Sequence, residues 1–305
     1  MTLARQMMRL VVRGVVRPTL SPSIPVGVQR AVLDIAGRVA KMPQGTQVNR
    51  ISLYGCPAER VKTPAADAHR AVLYLHGGGY TVGSPRTHRA LAAHLSAAAR
   101  MPVYLADYRL APEHPYPAAL EDAINAYKAL LQRGIVPGRI AIAGDSAGAG
   151  LALALCTTLR DGGIPAPAGI ALMSPWVDLT LTGVRDDNRD PMLRTAWLRS
   201  CAARYGGVTE SLTNPALSPM YADLSGLPPM LVHAGSDEIL GPDIDRFVEH
   251  VRNAGGAIRQ RIFPGLWHVA HLHAGLVAEC TDATEEVGHF IGSATTRSTS
   301  DVYHF

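Results

Sequence analysis

The stretch Arg139-Ile140-Ala141-Ile142-Ala143-Gly144-Asp145-Ser146-Ala147-Gly148-Ala149-Gly150 decides how the rest of the chain is read. A short apolar run ends at Gly144, a serine follows between two glycines, and helix-forming sequence continues to Arg160. This is the G-x-S-x-G pattern in the strand-turn-helix setting that gives it meaning. A nucleophile on so sharp a turn sits in strained backbone geometry, and side chains at the flanking positions would collide with the neighbouring strand and helix. In a chain with 29 glycines among 305 residues, the pattern arises by chance in roughly one chain in ten. It therefore needs support from elsewhere in the sequence.

Working outward, apolar runs recur at residues 71–76, 102–107, 139–144, 169–174, 229–234 and 257–263, most of them flanked by Gly or Pro. Helix-like segments at 87–100, 117–133 and 147–160 lie between them. Repeated strand-helix-strand order predicts an α/β protein with a parallel sheet covered on both faces. Ligands of such sheets bind beyond the carboxyl ends of the strands, so chemistry is sought just after each apolar run. Residues 1–50 and the segment 178–215 break the alternation. Together they are expected to form a helical cap that walls a pocket with Trp176, Trp197 and Tyr205.

After the run ending at Leu75 stands His76-Gly77-Gly78-Gly79. Acyl transfer needs backbone N–H groups aimed at a developing oxyanion, and residues without side chains let a loop come close. Gly78, Gly79 and Ala147, the residue after the serine, are the expected donors. His76 and Gly77 support that loop, as Gly144, Asp145 and Gly148 support the serine turn. H-G-G-G arises by chance in roughly one chain in a hundred of this composition.

A serine hydroxyl needs a base, and in a fold of this kind the partners follow in the order serine, acid, histidine. After 229–234 comes Gly235-Ser236-Asp237-Glu238-Ile239-Leu240, which makes Asp237 the expected acid, with Glu238 and Asp243 as competitors. After 257–263 comes Pro264-Gly265-Leu266-Trp267-His268, which makes His268 the expected base, with His271 and His273 as rivals.

These residues resemble the hormone-sensitive-lipase-like branch of the α/β-hydrolases, the bacterial family IV esterases, over about residues 70–290. The resemblance rests on H-G-G-G at 76–79, Asp107-Tyr108-Arg109-Leu110-Ala111-Pro112-Glu113-His114-Pro115, G-D-S-A-G at 144–148, the segment 237–240 and His268. It implies a mostly parallel eight-stranded sheet, a cap built from N-terminal helices and an insertion, and hydrolysis of short- to medium-chain carboxylic esters. It also supports Asp237 and His268. Ala149, where a second glycine often follows the motif, and Trp267 are small departures. The expected division is cap helices over 1–50 and a catalytic domain over 51–305 with the insertion at 178–215. An amidase or deacetylase on the same triad, or a receptor that binds without turnover, are the competing readings. A receptor would be expected to have lost a triad member, and all three positions are filled.

Composition narrows the partners. With 47% hydrophobic and 18% charged residues the chain can bury a large core, and a formal charge of +4 without a Lys/Arg block speaks against nucleic acid. A small-molecule ester is the expected partner, the mechanism calls for no metal or organic cofactor, and the oligomeric state, a homodimer included, stays open. Cys56, Cys156, Cys201 and Cys280 are widely spaced and show no zinc pattern, which fits a reducing, cytoplasmic compartment. In the first twenty residues Arg5, Arg9, Arg13 and Arg17 recur every four positions, while Leu3, Met7, Leu10, Val11 and Val15 fall on another face. Such a helix either meets an anionic lipid surface or packs over the body of the protein.

Overall fold

The Arg/apolar pattern at the N-terminus folds as helix. In the computed structural model, which describes residues 2–185, 188–207 and 210–296, α1 (Leu3–Val11) runs through a π-helical turn (Val12–Val16) into α2 (Arg17–Thr19). Pro25 precedes α3 (Val26–Gly37).

A hairpin follows that the apolar-run reading missed. β1 (Gln47–Leu53) pairs antiparallel with β2 (Cys56–Lys62) through Tyr54-Gly55, both with positive φ. Two such residues give the two-residue turn whose twist matches a hairpin. β1 is polar and largely exposed at the edge of the sheet, so it carries no apolar run. The sheet thus begins at Gln47, and a boundary placed between residues 50 and 51 cuts through its first strand.

The remaining elements are β3 (Ala71–Leu75), α4 (Pro85–Ala99), β4 (Val103–Ala106), α5 (Ala118–Gln132), β5 (Ile140–Asp145), α6 (Ala147–Asp161), β6 (Gly169–Met173), α7 (Thr195–Gly206), β7 (Met230–Gly235), α8 (Gly241–Asn253), β8 (Ile258–Phe263) and α9 (Ala278–Ala294). The eight strands form one sheet in the order β1-β2-β4-β3-β5-β6-β7-β8, antiparallel at β1/β2 and β2/β4 and parallel elsewhere.

Side chains alternate along a strand, so each central strand feeds two cores. Val72 and Tyr74 join Leu91 and Leu95 of α4 and Val287 and Ile291 of α9 on one face. Leu73, Leu75, Ile140 and Ile142 join Tyr127 of α5, Leu153 of α6 and Phe247 of α8 on the other. Burial on both sides explains why these strands are apolar throughout, each fully buried Val or Leu contributing about 1.5–3 kcal/mol.

The chain leaves β3 toward β4 on one side and returns to β5 on the other. That reversal opens a crevice at the carboxyl ends of β3 and β5, which are register neighbours at Leu75 and Gly144.

Candidate active site

Ser146 caps α6 at the end of β5 with φ 50° and ψ −122°, a conformation a non-glycine residue holds only under tertiary constraint. The constraint is close packing. A Cβ on Gly148 would run into the carbonyls of Leu75 and His76, and one on Gly144 would stand 2.5 Å from the carbonyl oxygen of Gly148. The turn is thereby pressed against the end of β3, and Ser146 faces the crevice.

The loop after β3 is fixed from several directions. Asp145 Oδ1 accepts from Tyr74 Oη at 2.7 Å and from the Gly77 N–H at 2.9 Å, and its Oδ2 lies 3.3 Å from His88 Nε2. Burial opposes the Asp145 charge, but His88, Tyr74 and the Gly77 N–H together hold its pKa below the usual carboxylate value. His76 stacks on Tyr108 with ring centroids 4.4 Å apart, and the Tyr108 hydroxyl donates to the His76 carbonyl at 2.5 Å. Burial, with His88 nearby, pushes His76 down to about 4, so it is a neutral support of the loop. Arg30 of α3 donates to the Thr81 and Ala111 carbonyls and pairs with Glu113, tying the segment 107–117 to the same loop. The backbone N–H groups of Gly78, Gly79 and Ala147 have no acceptor among the described residues. Gly78 has φ 120°, a conformation that suits only glycine.

His268, in the loop after β8, places Nε2 2.8 Å from Ser146 Oγ. Its Nδ1 lies 3.2 Å from Glu238 Oε2. The carboxylate expected to stand here was Asp237, and the geometry corrects that. Asp237 points outward and pairs with Arg9 of α1 at 2.7 Å, while Glu238 turns back under the sheet end. Glu238 Oε1 accepts from Ser174 Oγ at 2.6 Å and from the Gly235 N–H. Ser174 Oγ in turn accepts the Val269 N–H at 3.0 Å, so one hydroxyl fixes both the carboxylate and the histidine loop. Asp243 is elsewhere, bound to Arg246 at 2.7 Å, and burial together with Asp178 lifts it to about 6. His271 is 3.2 Å from His233, and burial drives it to about 4; His273 lines the cavity and burial leaves it near the same value. Neither contacts Ser146.

Burial by itself would depress His268. The Glu238 carboxylate bonded to it, with the charges of Asp190 and Asp145 behind, more than offsets that and raises its pKa above the ordinary imidazole value. Asp190 is fully buried; its Oδ1 accepts the Met192 N–H at 2.8 Å and its Oδ2 the Ile239 N–H at 3.3 Å. Asp190 and Ser174 were not singled out in the sequence. Ser174 stands immediately after β6, where a search of the strand ends would have met it; Asp190 lies in a segment without periodicity and gave no signal.

Above Ser146 and His268 lies a cavity of about 280 Å³. Its walls are apolar, with Val12 and Val16 from the N-terminal helix, Leu33 from α3, and Met192, Leu193 and Trp197 from 178–215. Trp197 Nε1 donates to Gln29 Oε1 at 2.9 Å, joining α7 to α3 over the crevice. Trp176 and Tyr205, expected in this wall, pack around Tyr80 instead, Tyr205 stacked on it at 3.7 Å.

A serine hydroxyl hydrogen-bonded to a carboxylate-backed imidazole, beside free N–H groups and under an apolar wall, is equipped for acyl transfer. The family model for the alpha/beta hydrolase fold matches residues 72–272. An acetyl-hydrolase of Streptomyces hygroscopicus is 43% identical over 79% of this chain and 81% of its own length. An esterase of Acinetobacter venetianus is 37% identical, covering 87% and 88%. The crystal structure of an esterase from the bacterial hormone-sensitive lipase family superposes with a TM-score of 0.91 at 35% identity, covering 97% of this chain and 99% of that one. The chain belongs to the alpha/beta hydrolase fold family. Within it, this is a carboxylic ester hydrolase of the hormone-sensitive-lipase-like branch, as the sequence motifs implied.

Proposed function

We propose that the chain hydrolyses carboxylic esters with short to medium acyl chains through an acyl-enzyme on Ser146, with His268 as general base and Glu238 as its carboxylate partner. The observation that carries this reading is the unbroken line of contacts from Ser146 Oγ through His268 to Glu238 on the floor of an apolar cavity. With the Nδ1 proton donated to Glu238, Nε2 is free to take the serine proton as Oγ bonds to the ester carbonyl carbon. The carbonyl electron pair moves onto oxygen, where the N–H groups of Gly78, Gly79 and Ala147 receive it, each such donor being worth about 3 kcal/mol of barrier. The imidazolium then gives its proton to the departing alkoxide, and water repeats the sequence on the acyl-enzyme. Only the chain's own residues and water take part.

The N-terminal helices and 178–215 act as the cap, because their side chains supply the cavity's apolar wall and set which acyl groups fit. Four buried, unpaired thiols support a reducing compartment, and we place the protein in the cytoplasm. No helix of the described residues is long and apolar enough to cross a membrane.

The test is hydrolysis of p-nitrophenyl esters from acetate to palmitate at neutral pH by the wild type and by Ser146→Ala. Rates peaking at short or medium chains, with kcat at least about 10⁴-fold lower in the variant, are expected. Wild-type turnover in Ser146→Ala would remove the nucleophile assignment. Faster cleavage of the matched p-nitroanilides would move the reading to an amidase.

A further inference from the structure

The N-terminal helix packs with the opposite orientation to the one its arginines suggest for a surface-binding peptide. Arg5 reaches Glu279 at 3.8 Å, Arg9 holds Asp237 and donates to the Arg189 carbonyl at 2.6 Å, and Arg17 donates to Asn188 at 2.8 Å. These guanidinium groups face the body, so the apolar stripe faces out, with Leu3 74% and Leu10 69% exposed. α3 and the chain after it continue the same surface, with Ile35 61% and Val39 72% exposed. Nine of the thirteen large apolar side chains that are exposed among the described residues lie within the first 42 positions. Isolated exposed apolar residues are ordinary, but this concentration is not.

Two further features say what covers it. Val11 and Val39 are both exposed and both line the cavity above Ser146, so the outer patch and the acyl wall are one continuous apolar surface. The first 42 residues also carry seven Arg or Lys against a single acid, Asp34, and Asp34 is already engaged by Ser84 and Arg86. Arg13, Arg38 and Lys41 are exposed, and their side chains have no acidic partner among the described residues. An apolar face bordered by unpaired cations matches an anionic lipid surface. It matches a second copy of itself poorly, because a two-fold contact would bring two such cation-rich borders together with Asp34 as the single acid on each side.

We propose that the outward face of α1 and α3 seats the protein on an anionic lipid surface, with the cavity mouth against the acyl layer, so that the ester enters the site from that surface. The proposal deepens the ester-hydrolase reading and rests on it only for what enters the cavity.

The experiment is flotation of the full chain with vesicles of equal parts phosphatidylcholine and phosphatidylglycerol, and with phosphatidylcholine alone. The same preparations are assayed on monomeric p-nitrophenyl butyrate. The wild type should float with the anionic vesicles and much less with the neutral ones. The double variant Leu10→Asp with Ile35→Asp, two positions outside the cavity wall, should lose at least about tenfold in vesicle partitioning. Arg13→Glu with Lys41→Glu should erase the preference for anionic vesicles. Both variants should keep the wild-type rate on the soluble ester, which also reports that they fold. A wild type that floats with neither vesicle, or a Leu10→Asp/Ile35→Asp protein that floats like the wild type, overturns the proposal. So does sedimentation velocity in which that variant splits a wild-type dimer, because the face would then belong to a second copy. A failure of the ester-hydrolase reading shows separately, as a wild type inactive on the soluble ester whatever its flotation.

Discussion

The end of β5 and the end of β7 each deliver one side chain to the same crevice, but they do so by different means. At β5 the sequence around Ser146 fixes the outcome locally: glycines at 144 and 148 let the turn press against the carbonyls of β3, and the serine sits at its strained apex. At β7 two carboxylates stand side by side, and either could have met His268. Partners far away in the chain decide which one does. Ser174 and the Gly235 N–H draw Glu238 inward, and Arg9, 228 positions away, draws Asp237 outward. A strained turn identifies its residue locally, whereas an unstrained turn with two equivalent charges is resolved only by its surroundings.

The strongest way to break this contrast is to remove each carboxylate in turn. Glu238→Ala is expected to lower kcat by about 10³- to 10⁴-fold, as loss of a triad acid does, while Asp237→Ala stays within about threefold because it removes only a partly exposed ion pair. Steady-state kinetics on p-nitrophenyl butyrate reads both, and the opposite ranking would return the role to Asp237.

A smaller effect sharpens the electrostatic side. His268 must be neutral to accept the serine proton, and its pKa is raised, so kcat/KM should fall as pH drops through an inflection above the ordinary imidazole value of about 6.5. In Glu238→Gln the charge that raises it is gone while burial still depresses it, so the acid limb of the residual activity should move to lower pH. A pH–rate profile that does not move would show that Glu238 does not set the His268 pKa.

The smallest effect is at the outer partner. Arg9→Ala should lower the melting temperature by about 2 °C or less and leave kcat within about threefold. A loss comparable with that of Glu238→Ala would mean that the Arg9–Asp237 pair positions the site after all.

Much of the fold was legible. Five of the strands, β3 to β7, follow apolar runs because parallel strands buried on both faces need continuous apolar sequence, whereas β8, at the sheet edge, is half polar and has no buried residue. β1 and β2 were not legible, since β1 is an exposed edge strand with no such need, β2 interrupts its apolar residues with Pro57, Glu59, Arg60 and Lys62, and the turn is Tyr54-Gly55 rather than a more familiar pair. That His268 stands beside Ser146 at the strand ends was legible from its place after β8 and from the serine motif. The cavity wall was legible only in part. Trp197 lines it, but Trp176 and Tyr205 gather around Tyr80, because aromatic side chains pack wherever neighbouring rings complete a stack.

The sequence by itself determined the central parallel strands, the serine turn and the glycine loop after β3, because each is encoded in residues a few positions apart whose backbone demands are strict. Only the tertiary structure decided that Glu238 rather than Asp237 meets His268, and that the first helix turns its arginines inward and its leucines out. Both outcomes depend on where charges from remote segments come to rest. A carboxylate or a guanidinium adopts whichever rotamer finds its counter-charge, and no local pattern in the chain specifies that.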